Sequence, residues 1–250
     1  MRFLLEGSFI LFLATQSLVA VAEVSTFTSS SETSRAELPH MTEGFYPIWE
    51  STGSIESHRK IYIGSNGAHM GIRDRVQFGV QPVYFMYRTP NGNVKVLLHE
   101  GESTSVTAQI SYYRLMEEAS RAFLSPMYTS RLDNPDFTVH LVPVSLASTT
   151  HIGDWLDLHQ SVTALSLFTN GPLNNEVNFG YSATAEFLGR RSHSILLHGG
   201  EVGFWRHDFS FLGTSYRYRG STVEFRLGYF YRMRPGSQQS GPLIALGFNL

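Results

Sequence analysis

The sequence predicts an all-β chain, a closed antiparallel transmembrane β-barrel, with about twelve strands preferred and about ten as the alternative. Three observations predict it. First, Thr222 to Met233 reads T-V-E-F-R-L-G-Y-F-Y-R-M, which puts Val223, Phe225, Leu227, Tyr229, Tyr231 and Met233 on one face. Thr222, Glu224, Arg226, Gly228 and Arg232 take the other face, and only Phe230 breaks the alternation. Such a run exceeds the roughly 5–6 residues of an ordinary strand and suits a tilted strand, which needs about 9–11 residues to cross hydrocarbon. Second, charged residues are 16% of the 250-residue chain and aromatics 13%, whereas an average soluble domain carries about 25% charged residues. Much of the surface therefore faces something other than water. Third, beyond the N-terminal segment no apolar run approaches the ~18 residues of a spanning helix. A barrel is then the remaining way to satisfy every backbone group in lipid.

Residues 1–22 read as a secretory signal peptide. Arg2 gives the basic start, Phe9 to Leu13 and Leu18 to Ala22 the apolar core, and Ala20-Val21-Ala22 the small-x-small cleavage site. Glu6 is out of place in such a segment, and a retained anchor is the competing reading. Residues 23–40 read as a flexible leader, since between Ser25 and Ser34 all but Phe27 and Glu32 are Ser or Thr and can bury little apolar area. Residues 41–250 form the barrel.

Within it, Arg59 to Ile72 reads as one strand that turns at Arg73-Asp74. Val76 to Tyr87 reads as the next, with Pro82 marking a bulge or kink because proline lacks a ladder donor. Val94 to His99 and Ser105 to Leu115 follow, then an unpatterned connection from Met116 to Pro135, the length expected of an extracellular loop. Phe137 to Thr149, Trp155 to Phe168 and Val177 to Phe187 alternate cleanly. Ser192 to Phe204 is ambiguous, since Gly199-Gly200 reads as a loop or a kink. Phe209 to Tyr218 leads into the terminal pair. These are about eleven strands; a closed barrel wants an even number, and Gly44 to Ser51 is the preferred twelfth. Tyr84, Tyr87, Tyr112, Tyr113, Tyr216, Tyr218, Tyr229 and Tyr231 cluster near strand ends, where an aromatic girdle meets the headgroups. The rival architecture is a soluble sandwich or lipocalin-like barrel with its apolar face inward.

Two stretches carry a family resemblance. Gly71 to Gly79, G-I-R-D-R-V-Q-F-G, resembles the G-x-x-D-R turn-and-strand signature of bacterial outer-membrane β-barrels of uncharacterised type. There Asp74 is expected to cap a tight turn through its own backbone. The last residues, P-L-I-A-L-G-F-N-L, resemble the closing strand of those barrels. The resemblance implies export through the periplasm to the outer membrane of a Gram-negative bacterium. It also implies contact with outer-membrane lipids, and recognition by the barrel-insertion machinery through Leu243, Ile244, Leu246, Phe248 and Leu250.

If the apolar face meets lipid, the polar faces converge on a lumen. The expected lining includes Gln77, Gln109, Asp157, His159, Glu186, Arg217, Glu224, Arg226 and Arg232. These charges either pair to brace a narrow interior or line a solute path. The function expected first is a narrow channel or solute-binding barrel for an unknown solute. The alternative is a structural or surface-contact barrel acting through the extracellular loop 116–135, and a lesser one is a barrel hydrolase on lipid or peptide. No catalytic residues are assigned: neighbours such as His193 and Ser194 point to opposite faces of a strand, while His207-Asp208 and His151 with Asp154 lack a matched nucleophile. No metal or cofactor is expected, since cysteine is absent and no paired His motif occurs. A formal net charge of -2 gives no basic surface for nucleic acid.

Overall fold

The computed structural model describes residues 50–250 apart from 66, 87, 116–137, 171–174, 190–191, 205–206 and 235–236. The signal peptide, the leader, Tyr87 and the loop 116–135 lie outside the described residues. Twelve strands close into one antiparallel barrel in which each pairs with its sequence neighbours and the last with the first. They are β1 (Ile61–Gly64), β2 (Gly67–Ile72), β3 (Val76–Val80), β4 (Asn91–Glu100), β5 (Thr104–Leu115) and β6 (Val139–Ile152). The second half is β7 (Leu156–Thr169), β8 (Glu176–Leu188), β9 (His193–Phe204), β10 (His207–Arg219), β11 (Val223–Arg234) and β12 (Ser237–Asn249). A helical turn, α1 (Pro82–Phe85), follows β3.

The count of twelve is met by a different division of the chain. Arg59 to Ile72 is not one strand: it folds back after Gly64, and Ile61 to Gly64 pair with Met70 to Gly67. The preferred twelfth strand, Gly44 to Ser51, lies mostly outside the described residues, and its last two, Glu50 and Ser51, are buried off the wall. Val76 to Tyr87 also shortens. Pro82 ends the strand and opens α1, because its fixed φ fits the first turn of a helix. Tyr84 on that turn packs edge-on against Tyr113, centroids 5.4 Å apart, and burial pushes its phenol pKa up. Gly199-Gly200 interrupts nothing, since β9 pairs continuously with β10 there. A Cβ at Gly200 would meet the Phe211 ring at 2.6 Å, so the glycine makes room for that ring.

One end of the barrel, called here the turn end, carries Leu250 and the short connections 73–75, 101–103, 153–155 and 220–222. The other, the loop end, carries the long connections 81–90 and 116–138. Strands β4 to β12 run ten to fourteen residues, whereas β1, β2 and β3 have four, six and five. Side chains on the outer face are large and apolar: Ile244 is 67% exposed, Phe179 66%, Leu212 59% and Ile195 56%. The inner face holds the buried polar groups. Water would not tolerate such an outer surface, which is that of a barrel spanning a membrane by its strands. Val223, Phe225 and Leu227 face outward as expected, while Phe230 points inward onto Phe211 and His198. The girdle is partly corrected: Tyr112, Tyr216, Tyr218 and Tyr229 are exposed, but Tyr113 is buried on the inner face with Tyr84 against it.

Candidate functional site

Strand alternation brings the expected lining residues to the inner face. Gln77, Gln109, Asp157, His159, Glu186, Arg217, Glu224 and Arg226 are all buried there, and Arg232, at the loop end of β11, is half-buried. They do not line an open path. At the turn end, two carboxylates, Glu186 and Glu224, meet three guanidiniums, Arg217, Arg219 and Arg226, while Asp157 beside them pairs with His151. Arg217 donates to Glu224 at 2.9 Å and to Glu186 at 3.3 Å, and Arg219 donates to the same Glu186 oxygen at 2.6 Å. Arg226 closes the cluster by donating from Nε to Glu224. Ser194 donates to Glu186 at 2.6 Å, and the other Glu186 oxygen lies 3.2 Å from His159 Nε2. Buried charges of this number are tolerated only when each has opposite partners and hydrogen bonds, and here they do. Strand register explains why the cluster must be shared: Arg217 lies opposite Arg226 and Asp157 opposite Glu186, like against like. The opposite charges meet by longer reaches: Glu186 on β8 spans β9 to Arg217 and Arg219 on β10, Arg217 reaches Glu224 on β11, and Arg226 pairs with Glu224 along β11 itself.

The second filling comes from outside the strands. Residues Glu50 to Glu56 cross the interior and hydrogen-bond to five strands. Glu50 Oε1 lies 3.1 Å from His198 Nδ1 on β9. Ser51 donates to Gln109 on β5 at 3.0 Å, and Thr107 donates to the Thr52 carbonyl at 2.7 Å. Lys95 Nζ on β4 approaches Thr52 Oγ1 at 3.4 Å. The Gly53 amide donates to Thr149 Oγ1 on β6 at 2.9 Å, and the Glu56 amide to Gln77 Oε1 on β3 at 2.9 Å. Two glycines let backbone pass against backbone. A Cβ at Gly53 would stand 2.3 Å from Ser105 O and Thr149 N, and one at Gly71 would stand 2.1 Å from Glu56 O. The G-x-x-D-R stretch thereby acquires a physical role that corrects the expected one: Asp74 accepts from the His58 amide rather than capping its own turn. The Arg73 amide donates back to His58 Nδ1 at 2.9 Å. Positive φ at Arg73 and Asp74, 53° and 54°, turns both groups toward the incoming segment.

Toward the loop end the inner face becomes apolar. Val202, Phe211, Phe230 and Ala245 form one buried cluster with Leu243 against it. Val139, Leu141, Leu165 and Leu167 are at most 2% exposed on the other side. Leu243 therefore parts from Ile244, Leu246, Phe248 and Leu250, which face outward.

Asp157, His159 and Glu186 offer ligand atoms within 4.8 Å of one another. The chemistry argues for ion pairing instead, because Asp157 already takes His151 Nδ1 at 2.6 Å and two guanidiniums hold Glu186. A dication there would sit beside Arg217 and Arg219. Of the suggestive neighbours, His193 faces outward, 2.6 Å from the Tyr216 hydroxyl, while Ser194 faces the lumen. His151 pairs with Asp157 rather than Asp154. The side chains of His207 and Asp208 lie outside the described residues.

No protein-family model and no curated protein matches the chain. Among solved structures, the chain is similar to OmpT, an outer membrane protein of Vibrio cholerae folded in vitro and described in a trimer form. The TM-score is 0.46 at 9% identity, over 84% of this chain and 68% of that one. The architecture stands on the strand topology itself. It is a closed twelve-stranded barrel.

Proposed function

We propose that this protein resides in the outer membrane of a Gram-negative bacterium as a barrel with a closed lumen, and acts through its surfaces rather than as an open channel. One observation carries the reading: the interior is filled twice over, by the ion-pair cluster and by residues 50–56 bonded to β3, β4, β5, β6 and β9. An aqueous pore leaves its lining wet, yet Gln77, Thr107, Thr149, Thr163 and Glu186 are 0% exposed. The loop end faces the exterior, since it carries the two longest connections, 81–90 and 116–138, and barrels of this class keep their long loops outside. Ile244, Leu246, Phe248 and Leu250 present the apolar face that the insertion machinery reads. No catalytic role is assigned.

A gated channel is the second reading, favoured by the polarity of residues 50–56, which an opened lumen would hydrate. Conductance across planar bilayers tests the proposal. The purified chain is expected to give no steady current at modest voltage; a steady ohmic current from the unmodified protein overturns the closed lumen.

A further inference from the structure

The membrane-facing wall carries a groove that has no part in closing the lumen. It lies outside β1 to β5, has a volume of about 940 Å³, and is lined by Ile63, Met70, Phe78, Val94, Ile110 and Tyr112 among others. Its depth follows from the sequence. Strands β1 to β3 are the short ones, so the wall recedes there, and Ala68 and Gly92 put almost nothing on the outer face. A Cβ built on Gly92 would meet nothing nearer than Gly79 O at 3.8 Å.

Basic residues flank the loop-end lining of this groove. Arg114 stands one outward step beyond Tyr112 on β5 and pairs in register with His140 on β6. The Tyr112 hydroxyl lies 2.8 Å from His140 Nδ1, with the rings stacked at 5.9 Å. The Arg114 amide donates to the carbonyl of Pro90, itself a lining residue, at 2.9 Å. Arg88, two residues earlier, is exposed with a positive φ of 51°. An apolar trough long enough for hydrocarbon, with two exposed arginines and an imidazole beside its loop-end lining residues Pro90 and Tyr112, is complementary to an amphiphile with an anionic head.

We propose that this groove binds lipid A, the acylated and phosphorylated glycolipid of the outer leaflet, with an acyl chain in the trough and a phosphate at Arg88 and Arg114. The choice of outer-leaflet lipid rests on the orientation proposed above, which puts the rim at the outer face. A glycerophospholipid shares the chemistry but not the leaflet, and the test separates the two.

Native mass spectrometry of the purified full chain in detergent, with added lipid A or phosphatidylglycerol, reads the binding directly. Lipid A is expected to bind at least about tenfold more tightly, because its diphosphorylated head meets both guanidiniums in charge-assisted contacts. The double variant Arg88→Gln/Arg114→Gln should lose about tenfold or more in affinity for the same reason. Gly92→Trp, whose Cβ has open space and whose ring would fill the trough, should abolish binding, while Leu197→Trp on the outer face of β9 should leave it unchanged. Heat-modifiable mobility confirms that each variant is folded. Equal binding of phosphatidylglycerol overturns the assignment, as does lipid A binding that survives Gly92→Trp or the double arginine variant. A conducting wild type that binds lipid A as described would refute the closed lumen and leave the groove standing. No current together with lipid-independent behaviour would do the reverse.

Discussion

Replacing Gly53 with Ala tests whether residues 50–56 are seated in the barrel as a built element. The added methyl would stand 2.3 Å from Ser105 O and from Thr149 N, both backbone atoms of the wall. A Cβ needs more than about 3 Å from such atoms, and β5 and β6 are held there by an unbroken ladder from Thr104 to Ile110, so the segment must withdraw by about 1 Å. That breaks the Gly53 amide bond to Thr149 and the Thr107 bond to the Thr52 carbonyl, 2.9 and 2.7 Å long. At about 0.5–1.5 kcal/mol for each bond, plus about 1 kcal/mol for a buried amide left bare, the seat weakens by roughly 2–4 kcal/mol. The usual gain from Gly to Ala, about 0.4–1 kcal/mol through the unfolded chain, is too small to compensate. Amide exchange by mass spectrometry on the peptide covering 50–58 is the assay. With tenfold per 1.4 kcal/mol, exchange there should accelerate by about 30- to 700-fold while peptides of β5 and β6 keep their protection. Unchanged exchange in that peptide would refute the seating of the segment and, with it, the main support for a closed lumen.

Four further outcomes follow from the same geometry. Glu186→Gln leaves Arg217 and Arg219 short of a buried counter-charge and should cost about 3–5 kcal/mol, read from denaturant unfolding in detergent micelles; a loss below 1 kcal/mol would mean that the cluster is wet. Leu227→Arg, outward near the middle of β11, should cost about 2–4 kcal/mol, and Phe225→Arg, nearer the turn end, less; equal costs would contradict the membrane placement. Tyr84→Phe should flatten an alkaline loss of stability. The folded phenol is raised, so its contribution is complete below the unfolded value of about 10 and fades as pH climbs toward the folded one; identical pH profiles for the two proteins would remove that role. Deleting residues 245–250 takes away Gly247, Phe248 and Asn249, the β12 partners of β1. The truncated chain should be secreted yet fail to become heat-modifiable, and normal mobility would show that closure does not depend on this seam.

The parts of this architecture legible in the sequence are those that depend on period two. Lipid on one side and a polar interior on the other force alternation, and β7, β8, β11 and β12 show it best in their turn-end halves, before the inner face becomes apolar. Eight of the nine expected lining residues are buried on the inner face for that reason alone, and Arg232 joins them half-buried at the loop end. Alternation says nothing about which strand faces which, so the sharing of Glu186 between Arg217 and Arg219 could not be read from it. Short strands were equally opaque: four residues from Ile61 and six from Gly67, split by a tight turn, look like one strand of ordinary length.

The least legible element is the one on which the proposed closed lumen rests. Residues 50–56 have no periodicity because they belong to neither a strand nor a helix; their backbone groups are satisfied singly, by Thr149, Gln77 and Thr107. A signal was nevertheless present, at the receiving end. Gly71 and Asp74 resembled a turn signature, yet a tight turn by itself does not require a glycine three residues before its aspartate. The glycine is needed because the Glu56 and Ser57 carbonyls press on it, and the aspartate because the His58 amide points at it. A motif whose residues exceed the needs of its own local structure implies a partner from elsewhere in the chain, and here that partner lies just upstream. On this argument Gly71→Ala should mimic Gly53→Ala in the exchange assay, although the two glycines sit at opposite ends of the segment. If Gly71→Ala instead destabilised the β2–β3 turn and left residues 50–58 protected, the motif would serve its own hairpin and the closure of the lumen would rest on Gly53 alone.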